Sequence, residues 1–274
     1  MRRGLKILGI LFSLGVLVFV LGQMDLFRGE KIPEPGPYQV QAYDFKEDLK
    51  SLSLDLEKGS CQVRLAEEGE EPSISLRGGR KTKNPLGGYS FEAKAGQLAI
   101  KETGEAGTGL SFWPFKRRNK TLVLVLPKET RLEDLTLYLD MGDLKLEGLA
   151  LDRLEAQVDM GSLEVKDLEV LEADLKVDMG SLDWQGGQVQ ALKGAVDMGS
   201  MDFAGKILGP SQIEVDMGQV DLDLDQASSD FSIYKKVGLV GIDIEGLDPD
   251  QEGGPYPMDL KLGMGKIRVR FKGD

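Results

Sequence analysis

The tripeptide Asp-Met-Gly recurs five times at a fixed interval, and this repeat limits the folds open to the chain more than any other feature. Its aspartates are evenly spaced, with a 19-residue period, at Asp140, Asp159, Asp178, Asp197 and Asp216. A period of about 20 residues is typical of solenoids, in which each coil buries its apolar side chains only against neighbouring coils. The spacing therefore predicts regular stacked repeats over residues 135–225.

The residues on both sides of the tripeptide alternate between apolar and polar types. Leu154, Ala156 and Val158 precede one copy, and Leu163 and Val165 follow it. A period of two indicates half-buried β-strands. We therefore predict an all-β chain, a single-chain β-solenoid or β-helix whose 19-residue coils each contain two short strands and two turns.

Each residue of the tripeptide has a predicted part in a structural turn. The aspartate would accept a hydrogen bond from the backbone N–H two residues on. The methionine would fill the turn as an adaptable apolar side chain. The glycine would supply the positive φ that bends the chain. The predicted turn residues are Asp140, Gly142, Asp159, Gly161, Asp178, Gly180, Asp197, Gly199, Asp216 and Gly218.

A column of stacked carboxylates needs something that offsets its repulsion. Two unit charges about 4.8 Å apart repel by roughly 0.9 kcal/mol in water. Hydrogen bonds within the turns would offset this, and we predict no cofactor and no metal on that basis. The residues leave calcium at Asp159, Asp178, Asp197 and Asp216 open as an alternative, with a second acidic column at Glu164, Asp183, Asp202 and Asp221. Cu(I) on the methionine column is a further alternative.

Imperfect copies of the repeat occur towards both ends of the chain. Residues 57–61 (EKGSC) and 94–98 (KAGQL) precede the regular copies, and residues 262–267 (LGMGKI) follow them. Solenoids need atypical terminal repeats that blunt their exposed edges. We therefore predict one β-strand-repeat ectodomain over residues 38–274, with degenerate capping repeats at both ends and the basic sequence IRVRFKGD as a capping strand.

Residues 1–27 have the pattern of a membrane signal. Arg2, Arg3 and Lys6 precede an apolar run from Ile7 to Gly22. This pattern predicts a cytoplasmic start and a single-pass signal-anchor transmembrane helix, with the repeat domain outside the cytoplasm. A cleaved signal peptide is the alternative, and it would also export the domain. Residues 28–42 contain three prolines and are predicted to be a stiff spacer.

Composition favours a binding module over an enzyme. The chain contains no histidine, which removes histidine bases and histidine-bearing triads. Its net charge of −12 disfavours nucleic acid as a partner. The single cysteine, Cys61, cannot form an intrachain disulfide and is predicted to be buried in a strand. Paired carboxylates on a β-helix can cleave glycans, but short uniform coils favour a structural cause for the repeated acids.

An aromatic and basic cluster interrupts the strand pattern within residues 104–119. It consists of Phe112, Trp113, Phe115, Lys116, Arg117 and Arg118. The first interpretation is a loop that covers the core at one end of the solenoid. The second is contact with anionic lipid or an anionic envelope polymer, because aromatic side chains beside cations are typical of contacts with a membrane surface.

An N-terminal anchor followed by [V/L]-D-x-G-[S/D]-[L/V] repeats resembles the bacterial "putative adhesin" β-strand-repeat family, a domain of unknown function found chiefly in Gram-positive envelopes. The resemblance covers residues 38–274 and rests on the copies DMGDL, DMGSL and DMGSM. It implies a cell-envelope protein that acts in surface binding, adhesion or the Lia-type envelope stress response. The alternatives are a regulatory sensor of envelope damage, acting through residues 110–118 and a membrane partner protein, and a carbohydrate-active enzyme.

Overall fold

The computed structural model describes residues 40–41, 48–77, 86, 88–103, 121–238, 241–246 and 253–273. The chain divides into two units, residues 1–37 and 38–274, and every described residue lies in the second. The predicted signal anchor and nearly all of the predicted spacer therefore lie outside the described residues. Within the described ranges, no helix is long and apolar enough to cross a membrane.

The described residues form an all-β structure, which confirms the predicted fold class at that level. Their one helical segment is a 3₁₀ turn at Ser228–Asp230. The strands in chain order are β1 (Val40–Gln41), β2 (Ser51–Leu56), β3 (Ser60–Leu65), β4 (Ser73–Arg77), β5 (Tyr89–Lys94), β6 (Gln97–Glu102), β7 (Thr121–Leu126), β8 (Arg131–Leu139), β9 (Asp143–Glu147), β10 (Ala150–Val158), β11 (Ser162–Val177), β12 (Ser181–Val196), β13 (Ser200–Ile207), β14 (Ser211–Val215), β15 (Gln219–Leu224), β16 (Phe231–Val237), β17 (Ile242–Glu245), β18 (Tyr256–Leu262) and β19 (Lys266–Phe271).

Parallel strands that are one repeat apart in the sequence pair in register, so successive coils stack in the manner of a β-solenoid. On the first face, Leu135 of β8 lies opposite Leu154 of β10, which lies opposite Ala173 of β11. On the second face, Leu144 of β9 lies opposite Leu163 of β11. The long strands β11 and β12 pass from the second face to the first.

Each coil contains more bends than the two that the sequence predicts. The first is at Asp-Met-Gly. The pairing of β11 with β12 is interrupted at Asp167 and again at Leu171, which leaves a short third segment between the two faces. The exposed polar and buried apolar positions alternate along each face, as in the pattern of β15. The core therefore lies inside the coil and continues from one coil to the next.

Large side chains in this core lie near positions that hold small residues. Trp184 and Phe203 lie in adjacent coils with ring centroids 5.4 Å apart, and both are fully buried. The Trp184 indole N–H donates to the carbonyl of Gly186 at 2.8 Å. Nearby, a Cβ on Gly194 would lie 2.8 Å from Met201 Cε, so a small residue leaves room for the larger ones.

Both ends of the stack are built by insertion. At the N-terminal end, β2–β3 pairs with β8–β9 at an offset of 83 residues, and β6–β7 lies on the outer side of β2–β3. At the C-terminal end, β18–β19 pairs with β14–β15 at an offset of 47 residues, and β16–β17 lies on its outer side. The first and last coils in chain order are therefore enclosed by segments from elsewhere in the chain.

These insertions correct two expectations about the ends. Residues 94–98 are not a coil corner, because Ala95 and Gly96 form the tight turn of the antiparallel hairpin β5–β6, with φ of 50° and 75°. The strand Lys266–Phe271 is not a cap, because it pairs with β15 on one side and β17 on the other. Residues 57–61 do form a coil corner, between β2 and β3.

Candidate functional site

The Asp-Met-Gly bends lie one above another along one edge of the stack. We call this the methionine edge, and it comprises residues 140–142, 159–161, 178–180, 197–199, 216–218 and, with glycine in place of the aspartate, 263–265. The N–H of Met160 donates to the carbonyl of Asp140 at 2.6 Å, and that of Met179 donates to Asp159 at 2.7 Å. The same bond recurs at Met198, Met217 and Met264. These bonds hold the bends in register from coil to coil.

Close stacking, and not a positive φ, requires glycine in these bends. None of the glycines of the five Asp-Met-Gly copies has a positive φ, so the predicted reason for them is wrong. A Cβ on Gly180 would lie 2.5 Å from the carbonyl oxygen of Gly161 and 2.7 Å from Val158 Cγ1. Contacts this short are essentially never made by a real Cβ. The coils therefore approach too closely here for any side chain.

Within the regular coils, positive φ values occur at a different bend. They are 68° at Gly148, 52° at Asp167 and 75° at Gly186, which are again spaced by one period of the repeat, and 77° at Gly187. Left-handed backbone is strained for most residues, while glycine adopts it freely and aspartate is among the few others that tolerate it. The sequence analysis missed this bend because its residue types vary. The recurrence of Gly148 and Gly186, with Asp167 midway, is the signal that could have found it.

The methionines of the edge do not fill the bends. Their exposed fractions range from 44% at Met141 to 54% at Met179, so the prediction of a buried gap-filler is wrong. The neighbouring Val158 and Leu163, by contrast, are buried in the core. The other exposed members are Met160, Met198, Met217 and Met264. The edge therefore presents one thioether per coil to solvent.

The aspartates of the edge have side-chain partners where the sequence analysis predicted backbone partners. The Asp159 carboxylate accepts hydrogen bonds from the Tyr138 hydroxyl at 2.7 Å and from Gln157 Nε2 at 3.0 Å. The bond to Asp159 raises the pKa of Tyr138. In the described part of the chain, no backbone N–H donates to the carboxylates of these five aspartates, so the predicted turn hydrogen bond is wrong.

Most of this acidic column has no cationic partner. Lys176 Nζ lies 3.5 Å from Asp178. Among the described lysines and arginines, none forms an ion pair with Asp140, Asp159, Asp197 or Asp216. Within the same ranges, no three Asp, Glu, Cys or His residues are grouped closely enough to hold a metal ion. The edge is thus an acidic surface with thioethers alongside.

The second acidic column is a structural network on the second face. Its four carboxylates lie on strands that are adjacent in the sheet, at Glu164, Asp183, Asp202 and Asp221. Lys145 lies 2.6 Å from Glu164, and Arg268 lies 3.3 Å from Asp221, so a cation stands at each end of the column. Burial, together with Asp221 and Asp183, raises the pKa of Asp202.

The corner between β2 and β3 lies next to the bend of residues 140–142, and a carboxylate accepts its backbone hydrogen bonds. Three successive backbone N–H groups, of Glu57, Lys58 and Gly59, donate to Glu102 Oε2 at 3.0, 2.8 and 2.8 Å. In the regular bends, backbone carbonyls of the preceding coil accept such bonds. Glu102 of β6 therefore accepts the bonds that backbone carbonyls accept in the regular bends, a role that no local sequence pattern indicates.

A polar groove lies on the outer side of the first face, at the end where β5–β6 joins it. Its volume is about 890 Å³, and its lining includes Ser51, Ser53, Phe91, Asp134, Thr136, Arg153 and Glu155. A second groove of about 340 Å³ continues over the next coils, with Asp174, Lys193 and Gln212 in its lining. Arg153 lines both grooves. The two grooves therefore adjoin at Arg153 and together extend across several coils, and we call them the concave path.

Two predicted features remain to be placed. Residues 110–118, which include Phe112, Trp113, Phe115, Lys116, Arg117 and Arg118, lie outside the described residues. Cys61 is free and buried in β3, as predicted, and its burial raises the pKa of the thiol.

A family model matches residues 49–250, and its description is Toastrack DUF4097. The chain belongs to this family. The match contains the strands from β2 to β17 and ends before β18. No curated protein matches the chain.

Several solved structures are similar in fold. A "putative adhesin" from Bacteroides fragilis is 12% identical, with 87% of this chain and 98% of that chain covered and a TM-score of 0.45. A "putative lipid binding protein" from Parabacteroides distasonis is 14% identical, with 85% and 97% covered and a TM-score of 0.44. A "putative cell adhesion protein" from Clostridium sporogenes is 13% identical, with 86% and 99% covered and a TM-score of 0.35. Likeness at this level transfers no ligand and no activity.

Proposed function

We propose that this chain is a non-enzymatic binding module of the cell envelope. Residues 1–27 tether it to the cell membrane, and the stacked coils lie outside the cytoplasm. Family membership, the absence of histidine and the membrane-signal pattern of Arg2, Arg3, Lys6 and the following apolar run support this assignment.

The concave path on the first face is the observation that carries the proposal. Its hydroxyl groups on Ser51, Ser53 and Thr136 and its carboxylates on Asp134 and Glu155 are hydrogen-bonding partners for sugar hydroxyls. The path crosses several coils, and each coil adds outward side chains at equivalent positions. A ligand with a repeating unit fits a surface that repeats. The ligand class we assign is therefore a polyhydroxylated envelope polymer.

Co-sedimentation with purified cell-wall glycan tests this assignment. Residues 38–274 are expected to pellet with the glycan, and Asp134→Ala with Arg153→Ala is expected to weaken binding about tenfold. Lys166→Ala with Glu147→Ala is the matched control, because this pair lies on the second face with its charged atoms 3.9 Å apart. Equal binding by all three proteins would exclude the concave path as the site, and melting curves would establish that each variant is folded.

A membrane contact through Phe112–Arg118 is the second candidate. This segment lies in the sequence between β6 and β7, and these two strands pair with β2 and β3 at the N-terminal end of the stack. Such a contact would also serve a sensor of envelope stress that acts through a membrane partner protein. Trp113→Ala with Arg117→Ala is expected to weaken binding of residues 38–274 to anionic vesicles. Unchanged binding, or no binding by the parent domain, would overturn this candidate.

A further inference from the structure

The exposed methionines are the feature that the proposed function leaves unexplained. Six of them occupy the same position in six consecutive coils, and each is about half exposed. Methionine is an apolar residue that is often buried in protein cores, and two other methionines in this stack, Met201 and Met258, are fully buried. A repeated exposure of one residue type therefore requires a cause other than packing.

The backbone brings the thioethers of neighbouring coils within reach of a common ion. Bonds of 2.6–2.7 Å from five of the six methionine N–H groups to the aspartate carbonyl of the preceding coil, and one of 2.9 Å from Met141 to the Glu57 carbonyl, fix the bends in register. Adjacent strands are about 4.8 Å apart, so equivalent side chains start at that separation. A methionine side chain has three rotatable bonds and no branches, which lets two or three sulfur atoms converge on one centre.

The chemistry of the edge selects the kind of ion. Neutral thioether sulfur is a soft ligand that prefers Cu(I) to hard divalent cations. The aspartate that precedes each methionine in five of the six bends adds negative charge beside the sulfur, and of these five only Asp178 has a described ion-pair partner. This charge attracts cations to the edge, and the sulfur atoms retain those that are soft.

We propose that the methionine edge binds soft monovalent metal ions, Cu(I) or its analogue Ag(I), through thioethers contributed by adjacent coils. Because six thioethers form a column along the edge, one chain provides sites for more than one ion. This inference does not depend on the glycan-binding proposal, because the edge and the concave path involve different residues.

A titration of the full chain in detergent tests the proposal. Ag(I), which needs no reductant, and Cu(I) under anaerobic conditions would each be added in competition with a chromophoric Cu(I) chelator. The wild-type chain is expected to withdraw more than one ion per molecule. In NMR spectra of ¹³C-methyl-labelled methionine, the exposed resonances of the edge are expected to shift, while those of Met201 and Met258 stay in place.

Substitutions identify the ligand atoms. The triple variant Met160→Leu, Met179→Leu and Met198→Leu keeps the apolar surface but removes the central sulfur atoms, and it is expected to bind at least about tenfold more weakly. Met201→Leu and Cys61→Ala are matched controls that are expected to keep the wild-type stoichiometry.

Two results would overturn the proposal. One is wild-type affinity in the triple leucine variant. That result would mean either that the ions bind elsewhere or that the edge serves only as an apolar surface. The other is loss of binding in Asp159→Asn, Asp178→Asn and Asp197→Asn with the methionines intact, which would make carboxylates the ligands. Loss in the leucine variant with a smaller decrease in the asparagine variant supports the thioether site.

Discussion

The two glycine-containing bends of each coil meet different physical demands. At the Asp-Met-Gly bend, glycine is needed because a Cβ on Gly180 would collide with the backbone of the neighbouring coil. At the bend of Gly148, Asp167 and Gly186, the backbone is left-handed, and a Cβ on Gly148 would have no atom within 4 Å. The repeated motif therefore marks a close contact between coils with ordinary backbone, while the less regular bend carries left-handed backbone and is in close contact with the backbone of the neighbouring coil at Gly187, where a Cβ would lie 2.0 Å from the Leu168 carbonyl oxygen.

The same substitution at both bends is the strongest test of this difference. Gly180→Ala is expected to lower the free energy of unfolding by about 3 kcal/mol or more, because the methyl group overlaps backbone atoms that cannot move apart. Gly148→Ala is expected to cost about 1 kcal/mol, the strain of a left-handed alanine. Denaturant unfolding measures both changes in free energy. Because both variants replace glycine with alanine, the effect on the unfolded state is the same and cancels in the comparison. Equal costs would break the comparison.

The side chains next to each glycine position provide a second test. Leu168, beside Asp167, is fully buried, and Leu168→Ala is expected to cost about 3 kcal/mol through lost packing. Met179, beside Gly180, is about half exposed, and Met179→Ala is expected to change stability by less than about 0.5 kcal/mol. A large loss in the methionine variant would show that the edge is packed and not open. Thermal melts of the two single variants decide the matter.

The corner between β2 and β3 extends the comparison, since the Glu102 side chain there accepts bonds that backbone carbonyls accept in the regular bends. Glu102→Ala is expected to cost about 2 kcal/mol, because three backbone N–H groups lose a charged acceptor. Glu102→Gln keeps an acceptor oxygen and is expected to lose less. Glu92→Ala, an exposed glutamate of the adjacent strand β5, is the control. If Glu102→Ala melts like this control, solvent satisfies the three groups.

The last predicted effect lies at neither bend and depends on pH. Hydrogen bonds from Arg64 at 2.6 Å, and from the Glu67 N–H, lower the pKa of Glu70 from 4.5 to about 2. A carboxylate with a lowered pKa contributes stability above pH 4.5 and loses it as the pH falls towards 2. Glu70→Gln is expected to cost about 1 kcal/mol at pH 7.

This cost is expected to disappear near pH 2, where the wild-type carboxylate is itself becoming protonated. The matched control is Glu71→Gln, an exposed neighbour, and its unfolding is expected to follow the wild-type protein at every pH. A Glu70→Gln variant that differs from the wild type by the same amount at pH 2 and pH 7 would contradict the assigned pKa.

The sequence could predict the coils because one signal, the regular period with alternating Leu and Val, determines both the strand register and the buried positions. It could not predict why glycine occupies the Asp-Met-Gly bend, since a positive φ and a close contact both select glycine. It misplaced the methionines, because an apolar residue at a turn is normally packed. The role of Glu102 depends on bonds across 43–45 residues, and the inserted ends depend on pairing across 83 and 47 residues, which no local pattern encodes.

The insertion at the C-terminal end imposes an order on folding. Strands β16 and β17 are synthesised before β18 and β19 but reach the stack only through them. Central coils pair with sequence neighbours and can propagate as soon as two of them exist. The coil of β18 and β19 pairs with β14 and β15 across 47 residues, and closing such a long loop is slower than pairing coils that are neighbours in the sequence. Strands β16 and β17 therefore join the stack only through β18 and β19, and the stack is completed when these C-terminal strands dock between two segments that precede them in the sequence.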